Sequence, residues 1–136
     1  MKMISLQPSR SLSEPISVRR PRWQKVAFPT LDGYEFYRAD CILCLTAEGN
    51  YTRVHFCDGK ELLVCKTLRD AESGIGSLPN FVRIHRSHTI NIHYLQRYVR
   101  GKGGEVELEG GKRLSVSSSR KANFLSILEY FAGHEL

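Results

Sequence analysis

The stretch that decides the fold is Phe81-Val-Arg-Ile-His-Arg-Ser-His-Thr-Ile-Asn-Ile-His-Tyr-Leu95. Alternating apolar and polar residues predict a strand over residues 81–85, which leads into the dense set of donors His85-Arg86-Ser87-His88. Apolar residues return from Ile90 onward, so core positions should anchor this polar loop at both ends. Arginine suits bidentate recognition of guanine or phosphate, and Ser and His suit phosphate oxygens. The alternative is a solvated loop with one structural histidine.

Two further polar segments are candidates for binding an anion. Asn50 and Tyr51 lie in a turn after a predicted strand and offer donors to DNA, although Tyr51 equally suits a core position at the start of the next strand. Ser117-Ser118-Ser119-Arg120-Lys121 stands where a helix should begin, and the N–H groups and dipole of a helix N-terminus favour phosphate. The serines equally suit simple helix caps.

The rest of the chain is predicted to be mostly β. Further strands are expected at residues 25–28, 34–37, 41–45, 51–56, 61–65, 95–100, 105–109 and 112–116. Their short connections, such as Asp58-Gly59, require antiparallel hairpins, because parallel crossovers need a dozen or more residues. Two modest helices are expected, one capped by Thr67 and one beginning near Ser117 or Ser118 with Phe124 on its apolar face.

Composition indicates one globular domain with a tail. The chain has 136 residues, of which 41% are hydrophobic and 25% charged, which excludes wholesale disorder. Residues 1–22 are rich in Ser, Pro and Arg and are expected to form a flexible basic arm (the arm), with the domain at residues 23–136. The longest apolar run, residues 41–45, is too short to span a membrane. Because no apolar signal core is seen, we expect a cytoplasmic protein with reduced, structural cysteines.

Charge is distributed unevenly along the chain. The formal net charge is +6, and residues 83–121 alone carry nine basic and three acidic groups. Residues 1–25 carry six basic groups and one acidic group, whereas residues 26–82 are net acidic. Two basic regions favour a polyanionic partner, nucleic acid first, over a merely solvated basic surface.

No residue pattern points to catalysis, a metal or a cofactor. Cys41 and Cys44 form a C-x-x-C, but on a strand positions three apart face opposite sides, so core cysteines are expected. His85, His88 and His93 are clustered without an accompanying acid or a zinc-binding spacing. We therefore expect that the protein is not an enzyme.

Three segments together resemble the LytTR family of bacterial DNA-binding domains over about residues 24–131. They are residues 40–51, residues 81–91 with the pattern F-x-R-I-H-R-S-x-x-x-N, and residues 114–121. The resemblance implies an elongated antiparallel fold of roughly ten strands in small sheets with two short helices. It also implies that loops, not a recognition helix, enter successive major grooves and that the DNA bends.

The resemblance also assigns roles by position. Base contacts would fall to Tyr51, Arg86 and Ser118, the last at a position that is often Arg in the family. Contacts to the DNA backbone would fall to His85, Ser87 and Arg120. The residue types alone add Asn50 in the first turn and Lys121 at the start of the helix to the expected backbone contacts. Asn91 matches a position that we interpret as structural.

The expected function is a sequence-specific DNA-binding transcriptional regulator. Double-stranded DNA is the expected partner, bound by two copies because one copy has few base-reading side chains. The resemblance implies that the two copies occupy adjacent direct-repeat half-sites. Many relatives carry a receiver domain before this one, whereas here we see only the arm, so a sensor or regulator protein is a further candidate partner. The alternative is a protein-interaction or scaffold module that has lost DNA specificity.

Overall fold

The computed structural model describes residues 24–75, 78, 80–101 and 104–131. This part of the chain contains ten strands and two helices, as the sequence predicts for a mainly β fold. In chain order they are β1 (Lys25–Thr30), β2 (Gly33–Arg38), β3 (Ile42–Glu48), β4 (Tyr51–Phe56), β5 (Glu61–Val64), α1 (Leu68–Ser73), β6 (Phe81–His85), β7 (His88–Asn91), β8 (Leu95–Val99), β9 (Glu105–Leu108), β10 (Arg113–Ser115) and α2 (Ser118–Phe131). The predicted arm lies outside the described residues.

All strand pairs are antiparallel and form three small sheets. The largest has five strands in the order β5-β4-β3-β7-β6, and β1-β2 and β10-β9-β8 form the other two. β3 is the central strand, because it pairs with β4 on one side and with β7 on the other. The ends of β3 and its neighbours therefore decide which turns come together.

β3 supplies two hydrophobic cores. Ile42 and Leu45 pack in the core formed with β1, β4 and α1, whereas Leu43 and Cys44 pack in the core formed with β6, β9 and α2. The pairing of β3 with β4 shifts register between Ile42 and Cys44, so the strict alternation of side chains is interrupted there. This explains why four consecutive residues, 42–45, are buried in a strand that should expose every second one.

Both helices begin where the sequence predicts. The Thr67 side chain accepts a hydrogen bond from the Asp70 backbone N–H at 3.3 Å, which caps α1, and α1 ends at Gly74. α2 begins at Ser118 and packs on β6 through Phe124, which is fully buried. These helices close the two cores on the outer sides of the sheets.

The segment 85–91 differs from the prediction. His85-Arg86-Ser87-His88 is not a four-residue loop, because β6 runs through His85 and a further strand, β7, begins at His88. Only Arg86 and Ser87 form the turn between them. The prediction missed β7 because this turn contains neither glycine nor asparagine, the residues that usually mark a two-residue hairpin.

The cysteines also depart in part from the prediction. Cys44 is fully buried, and burial raises the pKa of its thiol to about 12, as expected for an inert core residue. Cys41 lies in a short 3-10 turn rather than in β3, and its carbonyl oxygen accepts from the N–H of Cys57 at 2.9 Å. Cys41 is half-buried, so the expectation of a core position is wrong for this cysteine, whereas Cys57 is exposed and Cys65 is half-buried. All four are free thiols.

Candidate nucleic-acid interface

Two polar turns lie at the same end of the five-stranded sheet. β3 runs toward the turn at Gly49 and Asn50, after which Tyr51 pairs with Glu48. β7 is antiparallel to β3, so the Arg86–Ser87 turn before β7 lies at that same end. The backbone N–H of Ala47 donates to the carbonyl oxygen of Ser87 at 2.8 Å, which ties the two turns together directly.

The start of α2 lies beside the end of β6. The N–H of Ser117 donates to the carbonyl oxygen of Ile84 at 2.9 Å, one residue before His85. Phe124 continues this contact, because it packs in the same core as Ile84. The predicted third site is therefore anchored to the strand that leads directly into the Arg86–Ser87 turn.

The three side chains predicted to contact bases are all exposed. Tyr51 is 44% exposed, so the alternative that it occupies the core is wrong. Arg86 and Ser118 are exposed as well. Within the part of the chain that the structure describes, the Arg86 guanidinium makes no hydrogen bond or ion pair, so its donors are available to a ligand. The fold thus presents one donor-bearing side chain from each of the three segments.

The side chains predicted to contact the DNA backbone surround these positions. Asn50 is exposed, and His85, Ser87, Arg120 and Lys121 are half-buried. Arg120 and Lys121 occupy the first turn of α2, where the helix dipole also favours a phosphate.

His85 supports the turn as well as facing outward from it. Its Nδ1 accepts a hydrogen bond from the Ser87 N–H at 3.0 Å. Because Nδ1 is the acceptor of this bond, Nε2 carries a ring proton and remains a donor of the kind a phosphate oxygen accepts. The ring also contacts the ring of His88, with the two centroids 5.1 Å apart.

His88 is a neutral neighbour of the turn. Burial lowers the pKa of its imidazole to about 4, and the charges of His85, Lys112 and His55 add to the effect. Its Nδ1 lies 3.3 Å from the hydroxyl oxygen of Thr46. At neutral pH this ring therefore adds no positive charge to the interface, although it lies among the basic residues of the segment.

Arg53, close to Tyr51 in sequence, is not available to an anion. Its guanidinium forms an ion pair with Glu48 at 2.5 Å and a longer one with Glu61 at 3.4 Å. The hydrogen bond from Arg53 lowers the pKa of the Glu48 carboxyl, which keeps the pair ionised. The positive charge near the first turn is thus compensated, whereas Arg86 in the second turn is not.

Asn91 is structural, as its position in the resemblance implied. Its side chain is 1% exposed and donates to the carbonyl oxygen of Ile42 at 2.9 Å. Its amide oxygen accepts from the Asn80 side chain at 2.9 Å and from the His93 N–H at 3.0 Å. These three hydrogen bonds fix the end of β7 against β3 and so the register of the hairpin that carries Arg86.

Arg83 is the residue of this region to which sequence reasoning assigned no role. It counts among the basic residues of segment 83–121, but its guanidinium points into the protein, where it binds Glu72 of α1 and two carbonyl groups of the turn. No local pattern reveals this contact, because residues 72 and 83 approach only after α1 and β6 have packed.

Comparison with known proteins assigns the chain to a family. The family described as the LytTr DNA-binding domain matches residues 32–129. The chain therefore belongs to the LytTr family of DNA-binding domains, and the resemblance inferred from its motifs is confirmed. No curated protein matches the chain.

A solved structure shows the same fold. It is the LytTr DNA-binding domain of a protein described as a putative methyl-accepting/DNA response regulator from Bacillus cereus. The match has a TM-score of 0.64 and 23% sequence identity, and it covers 76% of this chain and 95% of that one.

The described residues also limit other chemistry. None of their helices is long and apolar enough to cross a membrane. Nor do three or more of their His, Cys, Asp or Glu side chains gather in a group that would coordinate a metal ion.

Proposed function

We propose that this chain is a transcriptional regulator that binds double-stranded DNA sequence-specifically through its turns. One observation carries the proposal: the exposed donors Tyr51, Arg86 and Ser118 come from the start of a strand, a turn and the start of a helix, and backbone hydrogen bonds link these three segments at one end of the sheet. Membership of a DNA-binding family gives DNA as the ligand.

Arg86 is the principal base-reading residue in this proposal. Its guanidinium is exposed at the tip of a two-residue turn, so it can enter the major groove and donate two hydrogen bonds to O6 and N7 of guanine. Tyr51 contributes a hydroxyl from the neighbouring turn. Ser118 has a short side chain and reaches only a base edge that lies close to α2.

Phosphate contacts come from the residues around these three. His85 offers its Nε2 proton, and Asn50 and Ser87 offer neutral donors beside the two turns. Arg120 and Lys121 add two charges at the N-terminus of α2. These contacts supply affinity without sequence information and make it depend on salt.

Two copies bind adjacent direct-repeat half-sites in this proposal. Each good base contact discriminates by about 1–3 kcal/mol, and one copy has few of them. Two copies double the readout against the many competing sites of a genome. The arm, residues 1–22, adds affinity for all duplexes through its five basic groups.

A salt titration with two duplexes tests the proposal. A binding site is first selected from a random duplex library, and a scrambled version of it serves as the control. We expect tighter binding of the selected duplex at every salt concentration and a steep decrease of both affinities with salt. Equal affinity for the two duplexes would contradict sequence-specific binding.

The spacing of the half-sites tests the copy number. Insertions of half a helical turn, about 5 base pairs, place the half-sites on opposite faces of the duplex. We expect these insertions to weaken binding of the second copy and full-turn insertions to restore part of it. Equally tight and selective binding of one copy to a single half-site would contradict the two-copy arrangement.

A further inference from the structure

Arg83 of β6 directs its guanidinium at the backbone of the Arg86–Ser87 turn. Its Nε donates to the carbonyl oxygen of His85 at 2.8 Å, and its Nη2 donates to the carbonyl oxygen of Arg86 at 2.7 Å. The planar guanidinium of Arg83 therefore binds two successive carbonyl groups at the turn, those of His85 and Arg86.

The third nitrogen of the same guanidinium, Nη1, binds Glu72 of α1. Nη1 donates to one carboxylate oxygen of Glu72 at 2.7 Å, and the other oxygen accepts a hydrogen bond from the Thr89 hydroxyl. The side chains of Arg83 and Glu72 are 22% and 25% exposed, and Thr89 in β7 is buried. Glu72 thus connects both strands of the β6–β7 hairpin to α1.

This arrangement uses properties that only arginine has. A guanidinium carries five N–H donors in a rigid planar fork, so it can bind two carbonyls and a carboxylate at once. Lysine carries a single ammonium group on a flexible side chain, so it cannot make these three hydrogen bonds with the same geometry. Because Glu72 compensates the charge inside the protein, Arg83 has no need of an external anion.

We propose that Arg83 is the positioning residue of the turn that presents Arg86 to DNA, with Glu72 as its counter-ion. This inference rests on the proposed function, because it concerns how the base-reading side chain is presented. A turn that is fixed before binding does not lose backbone freedom on association, and this pre-organisation increases affinity for the correct site. The turn contains no glycine, and its shape comes instead from Arg83 and from the His85 ring.

Two substitutions of Arg83 distinguish positioning from direct contact with a phosphate. R83K keeps the positive charge but loses the fork, and R83Q loses both. If Arg83 positions the turn, each variant loses about tenfold or more in affinity for the selected duplex, the equivalent of one backbone residue left to be ordered on binding. Affinity for the scrambled duplex and the slope of affinity against salt stay unchanged.

Direct phosphate contact predicts a different pattern. R83K would then bind like the wild type, whereas R83Q would lose affinity for both duplexes equally and show a salt slope reduced by about one. That result would overturn the proposal. Wild-type selectivity in both variants would overturn it too.

A double-substitution cycle tests whether Arg83 acts through Arg86. In the R86A background, R83Q should reduce affinity for the selected duplex by less than twofold, because the side chain being positioned is absent. Independent, multiplicative losses would contradict the proposal. R97Q is the matched control: Arg97 forms an ion pair with Glu107 at 2.9 Å in the three-stranded sheet, remote in sequence from the turn, and its loss should leave selectivity unchanged.

Amide hydrogen exchange of the free protein gives a readout without DNA. The Ser87 N–H, bonded to the His85 ring, should exchange at least tenfold faster in R83Q than in the wild type, whereas the amides of β4 should not change. Unchanged exchange at Ser87 would overturn the proposal. If the wild type bound no duplex selectively, the proposed function would fail, while this measurement would still decide whether Arg83 fixes the turn.

E72Q keeps the experiment decisive if R83Q does not fold. Glutamine preserves the size of the side chain but removes the charge that compensates Arg83. We expect the same direction of change as in R83Q: faster exchange at Ser87 and lower affinity for the selected duplex only. Wild-type behaviour of a folded E72Q in both measurements would show that Glu72 is not the counter-ion on which the turn depends.

Discussion

The two turns at the proposed binding end of the sheet are built in opposite ways. The β3–β4 turn contains Gly49 with a φ of 61°, a left-handed conformation that glycine adopts readily. A Cβ added at Gly49 would meet nothing within 4 Å, so the backbone conformation, and not close packing, favours glycine here. The β6–β7 turn has no glycine and takes its shape from the side chains of Arg83 and His85.

This difference separates a turn that is encoded locally from a turn that depends on packing. A glycine turn is specified locally and needs no other part of the molecule. The Arg86 turn depends on residues from α1, β6 and β7, so it forms only when those elements have packed. We expect substitutions that affect the two turns to differ in their effects on the stability of the protein, on the pH dependence of that stability and on DNA selectivity.

The largest effect on stability is expected for Asn91→Ala. The substitution leaves the Ile42 carbonyl, the His93 N–H and the Asn80 amide without their buried partner. Each unsatisfied buried group costs about 1–3 kcal/mol, so a loss of about 3 kcal/mol is expected after partial relaxation. Urea unfolding measures it.

Asn50→Ala is the matched control for Asn91→Ala. Asn50 is exposed in the glycine turn, and a surface change of this kind stays within about 0.5 kcal/mol. Equal losses in the two variants would contradict the distinction between a locally specified turn and one that depends on buried side chains.

The second expected effect is a dependence of stability on pH through His88. The pKa of His88 is lowered to about 4 in the folded protein, below the usual value of 6.5 in the unfolded chain. The unfolded chain therefore binds more protons between these values, and the free energy of unfolding decreases as pH falls from 6.5 toward 4. His55, whose pKa is also lowered by burial, contributes in the same direction.

Urea unfolding at several pH values checks this expectation. His88→Gln should flatten the decrease between pH 6.5 and 4 without abolishing it, because His55 remains. An unchanged pH profile in this variant would show that His88 is protonated as easily in the folded protein as in the unfolded one.

Gly49→Ala is expected to lower stability by less than Asn91→Ala does. Left-handed backbone costs a residue with a Cβ about 1 kcal/mol, and no packing penalty adds to it because the space around Gly49 is open. Thermal unfolding should show this modest loss, and Gly49→Asn should recover part of it, since asparagine tolerates the conformation better. A loss above about 3 kcal/mol would mean that the turn depends on packing as well.

The same contrast explains what the sequence could predict. Period-2 patterns and glycine turns are local, so the strands around Gly49, Gly59 and Gly110 and the cap at Thr67 were predictable from neighbouring residues. β7 was missed because Arg86-Ser87 is not a recognisable turn pair.

The sequence singled out the candidate site residues but not the way in which the fold positions them. Exposure of Tyr51 and Arg86 at one end of the sheet follows from β3 lying between β4 and β7, a pairing that no local pattern specifies. Nor could the sequence show that the Arg83 guanidinium binds inside the protein. Its partner Glu72 lies in α1, eleven residues earlier in the chain, and the two side chains meet only when α1 packs beside β6. The exposure of Cys57 could not be predicted either. Cysteine is buried in most proteins, but Cys57 directly follows the last residue of β4, where the chain leaves the sheet.

The central claim, that Arg86 reads a base from a pre-organised turn, is tested most directly by selection from a random duplex library. Wild type, R86A and the control R97Q are selected in parallel and the enriched sites are sequenced. We expect R97Q to enrich the wild-type site, and R86A to lose preference at one base pair per half-site, at a cost of about 1–3 kcal/mol in affinity. Enrichment of the same site with the same preference by R86A would contradict the account.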